Sequence, residues 1–250
     1  VMPQQGVIDA AYLDAWDRVV RLLAAQKIWM LFDFHQDLYN EEFQGEGFPD
    51  WAVYSYVPPV NTAVLGFPGN YFTPPVQQQF DQLYLNTDAR WDDLRQAWQA
   101  IAARWKDQAY TLGYDLLNEP WPGSTYASCA NPEGCPVQED TLLRPMFDHI
   151  REGIREVDAD GIVWYEPFLT FDFGADSGFG VTAPFDDPQL GFGYHSYCLP
   201  GVFAHSQGFE DLPACDVLHG IVGDNAEVVR ARMTATSLLS EFGASDDLAA

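Results

Sequence analysis

The chain has 250 residues, enough for one sizeable domain with a full core, and a hydrophobic content of 47% excludes a disordered chain. Its 12 basic residues against 37 acidic ones give a net charge of −25, which excludes a basic patch for nucleic acid or for an anionic membrane surface. No apolar run reaches membrane-spanning length.

Val1-Met-Pro-Gln-Gln-Gly6 opens as if in mid-loop, without a leader segment, so the chain reads as an internal piece of a longer one. Ile8, Tyr12, Trp16, Val19 and Leu23 then recur at helical spacing, with Asp9 as a start signal. Ile28-Trp-Met-Leu-Phe-Asp-Phe34 is a continuous apolar run, which predicts a buried parallel strand, and it ends in the polar trio His35-Gln36-Asp37. A lone histidine at a strand end is more often structural than catalytic; three consecutive polar residues there are harder to dismiss. Residues 36–87 show no clear periodicity but are rich in rings: Tyr39, Phe43, Phe48, Trp51, Tyr54, Tyr56, Phe67, Tyr71 and Phe72. Segments this long are usually functional or disordered, and the aromatic content argues against disorder. Most of these rings are expected to pack the segment down, with two or three meeting a ligand. Thr87 or Asp88 caps the next helix, whose buried face is Leu94, Trp98, Ile101 and Trp105.

Tyr110-Thr-Leu-Gly-Tyr-Asp-Leu-Leu-Asn-Glu-Pro-Trp-Pro-Gly123 begins as a strand and is stopped by two prolines and a glycine, leaving Asn118 and Glu119 at its carboxyl end. Catalytic side chains collect at that end of α/β barrels, although an Asn-Glu pair in an ordinary surface turn reads the same way. A helix follows with Leu143, Met146, Ile150, Ile154 and Val157, then Ile162-Val-Trp-Tyr-Glu-Pro167, a strand ending in an acid and a proline. Gly191-Phe-Gly-Tyr-His-Ser-Tyr197 is a further strand end, and a weak helix around Ala226 to Met233 leads to Ser237-Leu-Leu-Ser-Glu-Phe-Gly243. Glu241 thus closes a second strand, and two strand-end glutamates are what a retaining glycosidase needs, one to protonate the leaving oxygen and one to attack the sugar carbon. The alternation of helix and strand implies parallel βα units, with five strands where a closed barrel needs eight.

The four cysteines are Cys129, Cys135, Cys198 and Cys215, and each consecutive pair flanks a loop. Two local disulfides, Cys129–Cys135 and Cys198–Cys215, are the favoured pairing of the three possible; four buried thiols are the alternative. Disulfides place the protein in an oxidising compartment. No Cys-x-x-Cys occurs, which argues against a zinc site.

His35 after a strand, Asn118-Glu119-Pro120, His195-Ser196-Tyr197 and Ser240-Glu241-Phe242-Gly243 resemble glycoside hydrolase family 5, an α/β family of (β/α)8 TIM barrels with retaining β-glycosidase activity. The fuller wording His35-Gln-Asp-Leu-Tyr-Asn40, Gly45-Glu-Gly-Phe-Pro-Asp-Trp51, Tyr114-Asp-Leu-Leu-Asn-Glu-Pro-Trp-Pro-Gly123 and Tyr194-His-Ser-Tyr-Cys198 is similar to its endoglycoceramidase group. The resemblance implies hydrolysis of the bond between glycan and ceramide in glycosphingolipids, without a cofactor or metal. It implies Glu241 as nucleophile and Glu119 as acid/base, its pKa raised by the charge of Glu241. Asn118 would hold the sugar 2-hydroxyl, His35 and Asp37 would contact the sugar, and His195 and Tyr197 would orient the carboxylates. In family order the strands read here are three to seven. Residues 1–250 are thus one catalytic domain lacking strands one, two and eight, the basic residue and tryptophan those strands carry, and a C-terminal β-sandwich. A secreted enzyme, monomeric when whole and touching a membrane or micelle only transiently, is the expectation. The alternatives are a β-glucosidase on glucosylceramide or a steryl glucoside, a cellulase-like endoglucanase, which the long aromatic segment after His35 suits less well, a non-catalytic carbohydrate- or lipid-binding barrel, and, least favoured, a metal-dependent hydrolase using His35, Asp37 and His195.

Overall fold

The apolar runs of the sequence become the strands of one parallel sheet. The computed structural model describes residues 1–56, 65–198 and 212–243. Strands β1 (Met30–Asp33), β2 (Thr111–Asp115), β3 (Val163–Tyr165), β4 (Leu190–Tyr197) and β5 (Thr236–Gly243) lie side by side in sequence order, every neighbouring pair parallel. The helices are α1 (Ala10–Ala25), α2 (Pro74–Tyr84), α3 (Arg90–Trp105), α4 (Arg144–Arg155) and α5 (Leu212–Met233). Each crossover returns the chain to the same end of the sheet, so all strands point one way and their carboxyl ends form one rim. The result is five strands of an eight-stranded α/β barrel, a half-barrel.

The core lies between the sheet and α2, α3, α4 and α5. Trp98 of α3, Tyr114 of β2, Phe147 and Ile150 of α4, Tyr165 of β3 and Phe192 of β4 are all buried. Side chains of this size each contribute about 2–3 kcal/mol by leaving water. Their polar tips are satisfied at the core's edge: Trp98 Nε1 donates to Leu116 O (3.2 Å), Tyr114 to Asp158 (2.7 Å) and Tyr165 to Asp148 (2.9 Å). The expected face of α4 is the one that packs, with Met146, Ile150 and Ile154 buried.

Four local expectations need correction. In α1 the residues that turn inward are Leu13 and Val20, while Tyr12, Trp16 and Val19 are exposed. The helix packs on Met30 and Trp105 with one stripe only, and its other apolar stripe faces past the outer edge of β1, where no described residue covers it. The segment 36–87 contains helix α2, whose Val76, Phe80 and Leu83 do follow helical spacing. The prolines at 74 and 75 read as breakers, yet Pro at the first helical positions is favourable. The side chain that caps α3 is Asn86, whose Oδ1 accepts the Trp91 N–H (2.9 Å), and neither Thr87 nor Asp88 does so. The weak helix before β5 begins much earlier, at Leu212.

The disulfides Cys129–Cys135 and Cys198–Cys215 are both formed. Restricting the unfolded chain across loops of this length is worth about 2 and 3 kcal/mol respectively. Most rings of the 36–87 segment pack it down as expected. Tyr39 stacks on Phe48 with centroids 4.0 Å apart, and Phe43, Tyr54 and Tyr71 are buried, whereas Phe67 and Phe72 are exposed.

Both edge strands, β1 and β5, carry unpaired N–H and C=O groups along one side among the described residues. Open parallel edges invite pairing between copies. Residues 1–250 expressed alone are therefore expected to run as aggregates in size-exclusion chromatography and to show no glycolipid hydrolysis. A soluble monomer with a cooperative melt would contradict this.

Candidate active site

The rim begins at the end of β1, where the chain turns sharply. Leu38 and Tyr39 both sit in the left-handed region (φ 54° and 74°), a strained geometry for bulky residues that marks constrained sites. Gly45 makes the turn possible: a Cβ there would lie 1.7 Å from Asp37 O, against which the chain pairs through Glu46. Gln36 is fully buried and ties two strand ends together. Its Nε2 donates to Asn118 O (2.8 Å) and Glu119 O (2.9 Å), and its Oε1 accepts the Tyr39 N–H (3.1 Å). Asn118 Nδ2 donates back to Gln36 O (3.0 Å). His35 stands between Asp33 (2.8 Å) and Asp37 (3.7 Å), with Glu241 Oε1 3.9 Å from its Nδ1.

His195 of β4 is buried at the centre. Its Nδ1 lies 2.9 Å from Glu119 Oε1 and 3.7 Å from Glu241 Oε2, and its Nε2 lies 3.1 Å from Glu166 Oε1. Because one nitrogen touches both glutamates, those two oxygens are separated by at most the sum of the distances, about 6.6 Å. Tyr197, two residues on and therefore on the same face of the strand, donates its hydroxyl to Glu241 Oε2 (2.6 Å). Glu119 itself has φ 44°, and its backbone N–H donates to Glu166 Oε2 (2.8 Å).

The electrostatics follow from crowding carboxylates in a dry site. Burial pushes the Glu119 carboxyl above its ordinary range; the bond to His195 works against this, and the charges of Glu166 and Asp37 add to the rise. The charge expected to dominate, that of Glu241, is not among the leading causes. Burial would lower the His195 imidazole, but Glu166 and the hydrogen bonds to Glu119 and Glu166 push it up to about 12. Hydrogen bonds to Asp33 and Asp37 push His35 up to about 10. Burial raises Tyr197, and its bond to Glu241 raises it further, so the phenol keeps its proton and acts as a donor.

All seven residues expected in the site, His35, Asp37, Asn118, Glu119, His195, Tyr197 and Glu241, meet at this rim. Five others were not assigned there, the first of them Asp33, 2.8 Å from His35 Nδ1. Gln36 was visible only as part of a polar trio. Glu166 was visible as a strand-end acid. Asp115 lies on β2 beneath it, and Asp172, buried just after β3, has Oδ2 4.0 Å from His195 Nδ1. Two clusters among the described residues have metal-like spacing, His35–Asp37–Glu46 and Glu119–Asp172–His195. In both, the histidine nitrogens already meet carboxylates, His35 those of Asp33 and Asp37, and His195 those of Glu119 and Glu166.

Two carboxylates brought close together at the carboxyl rim of parallel βα units are the arrangement that glycoside hydrolysis calls for. The chain belongs to glycosyl hydrolase family 5: the family model described as cellulase (glycosyl hydrolase family 5) matches residues 1–248. It is 32% identical over 251 residues to endoglycoceramidase I of Rhodococcus hoagii (strain 103S), covering 98% of this chain and 50% of that protein. It is 31% identical over 197 residues to an endoglycoceramidase of Cyanea nozakii, covering 70% of this chain and 38% of that one. Among solved structures, endo-glycoceramidase II from Rhodococcus sp. in complex with ganglioside GM3 superposes with a TM-score of 0.79 at 27% identity, over 96% of this chain and 56% of that chain. The chain therefore spans half or less of these curated relatives.

Gln36→Ala is expected to lower stability by about 2–4 kcal/mol, because it strands two buried carbonyls and one N–H at once. Urea unfolding of a soluble form of the protein checks this, and a loss below about 0.5 kcal/mol would show that the ties are dispensable.

Proposed function

We propose that this chain is the core of a retaining endo-β-glycosidase that hydrolyses the bond between glycan and ceramide in glycosphingolipids. The observation that carries the reading is the close approach of Glu119 and Glu241 across His195, below most of the separation that inverting enzymes need for a water. In this reading Glu241 attacks the anomeric carbon. The Tyr197 hydroxyl donates to one of its oxygens (2.6 Å), and the His35 imidazole lies 3.9 Å from the other. Glu119, held above its usual range, gives its proton to the ceramide oxygen as the C–O bond breaks, leaving a glycosyl ester on Glu241. Glu119, now ionised, takes a proton from water, and the resulting hydroxide equivalent displaces the ester to release the glycan. One amide proton of Asn118 is committed to Gln36 O; the other serves the sugar 2-hydroxyl. His35 and Asp37 bind the sugar nearest the cut.

The substrate class rests on the names of the relatives, which are endoglycoceramidases, one of them solved with ganglioside GM3. We place residues 1–250 within a single catalytic domain, of which the described residues supply five of the barrel's eight strands, in a monomeric protein that touches membrane or micelle surfaces only while it acts. The disulfides suit an extracellular setting.

In the protein with a closed barrel, incubation with a ganglioside is expected to release the intact oligosaccharide and ceramide. Release of free glucose from glucosylceramide, with no attack on longer glycolipids, would instead mean a β-glucosidase. Glu241→Gln is expected to lose at least about 1000-fold in turnover. Glu119→Gln is expected to lose roughly 100- to 10,000-fold on glycolipid but to keep the first step on a glycosyl fluoride, whose leaving group needs no proton. Equal losses on both substrates would overturn the acid assignment.

A further inference from the structure

Glu166 has no part in the chemistry above, yet its contacts converge on the acid/base. It is 3% exposed at the end of β3. One oxygen accepts the Glu119 N–H (2.8 Å) and the other lies 3.1 Å from His195 Nε2, while the far nitrogen of the same ring holds the Glu119 carboxyl at 2.9 Å. Glu166 therefore reaches Glu119 by two routes, through the backbone and through the imidazole. Beneath it lies Asp115, buried on β2; burial, with the charge of Glu166 adding to it, pushes the Asp115 carboxyl well above its ordinary range. Gly193 of β4 leaves the room: a Cβ there would come within 3.3 Å of Glu166 Cγ and 3.4 Å of Asp115 Oδ2.

We propose that Glu166 is the positioning residue of the acid/base, holding the Glu119 backbone in its left-handed turn and serving as the counter-ion of His195, so that Glu119 keeps its own proton for the leaving oxygen. The inference rests on the reading of Glu119 as general acid. An imidazolium here needs one negative partner. The groups that face His195 and Glu166 are Asp33 of β1, Asp115 of β2, Glu119 after it, Asp172 after β3, Tyr197 of β4 and Glu241 of β5. Burial holds Asp33, Asp115, Glu119 and Asp172 above the usual carboxylate range. For Glu166 burial works the same way, but the charge of His195, the bond to it and the Glu119 N–H overcome it and hold this carboxyl below that range. His195 Nδ1–H then donates to Glu119 Oε1, which leaves Oε2 to carry the proton toward the substrate.

The sign of the effect follows. With Glu166 ionised, deprotonating Glu119 adds a second negative charge beside one imidazolium. Without the Glu166 charge, Glu119 becomes the imidazolium's nearest counter-ion and ionises more easily. In a protein with a closed barrel, Glu166→Gln is expected to move the alkaline limb of kcat/KM on glycolipid to lower pH by about one unit, roughly a tenfold loss at fixed pH on that limb. The first step on a glycosyl fluoride should keep its rate at low pH. An unshifted profile in a folded, active variant would overturn the proposal, whereas absence of hydrolysis by the unsubstituted protein would overturn the functional reading instead. If Glu166→Gln does not fold, imidazole 15N NMR of Glu119→Gln decides. With Glu166 as counter-ion, both His195 nitrogens stay protonated from pH 5 to 8. A neutral His195 in that variant would overturn the proposal.

Discussion

One imidazole shared among carboxylates organises the rim. His195 is buried, charged and within 4 Å of oxygens from Glu119, Glu166, Asp172 and Glu241. Burying that many acids would be prohibitive without a cation between them. The imidazolium makes the crowding tolerable and sorts the acids by protonation. It holds Glu166 below the ordinary carboxylate range, while burial pushes Asp115 and Asp172, which it offsets less, well above it.

The parallel sheet is what delivers these groups to one point. Each strand ends at the same rim and contributes one or two polar residues at or just past its carboxyl end: Asp33 and His35, Glu119, Glu166, His195 with Tyr197, and Glu241. The registers of β1 with β2 and of β4 with β5 place Asp33 beside Asp115 and His195 beside Glu241. At the rim, positive-φ backbone falls in the turns that follow, at Leu38, Tyr39 and Glu119, and each is pinned by a hydrogen bond from its N–H. The arrangement fits a site whose acids must sit within tenths of an ångström of their partners.

Much of this was legible in the sequence because strand ends announce themselves. Asn118-Glu119-Pro and Glu241 before Phe-Gly follow apolar runs, and His195 and Tyr197 are two apart on a strand, so a shared face was implied. The disulfide loops were legible from spacing. What stayed hidden depends on neighbours in space. Gln36 matters because it spans two strand ends, and Glu166 because it lies under His195, neither of which a linear pattern reveals. Asp172 sits in a short 3-10 helix, Leu169–Phe173, too brief to show a period. The exposed stripe of α1 misled for a related reason: Tyr12 and Trp16 have helical spacing, but spacing cannot say whether anything lies opposite.

The account stands most directly on Glu241 as the group that becomes covalently bound to sugar. Treating a closed-barrel form of the protein with a 2-deoxy-2-fluoro glycoside bearing a good leaving group should trap the glycosyl-enzyme. Mass spectrometry of the digested protein should then find one added sugar, on the peptide that contains Glu241. A label on Glu119, or steady turnover with no trapped sugar and an inverted product, would contradict the account.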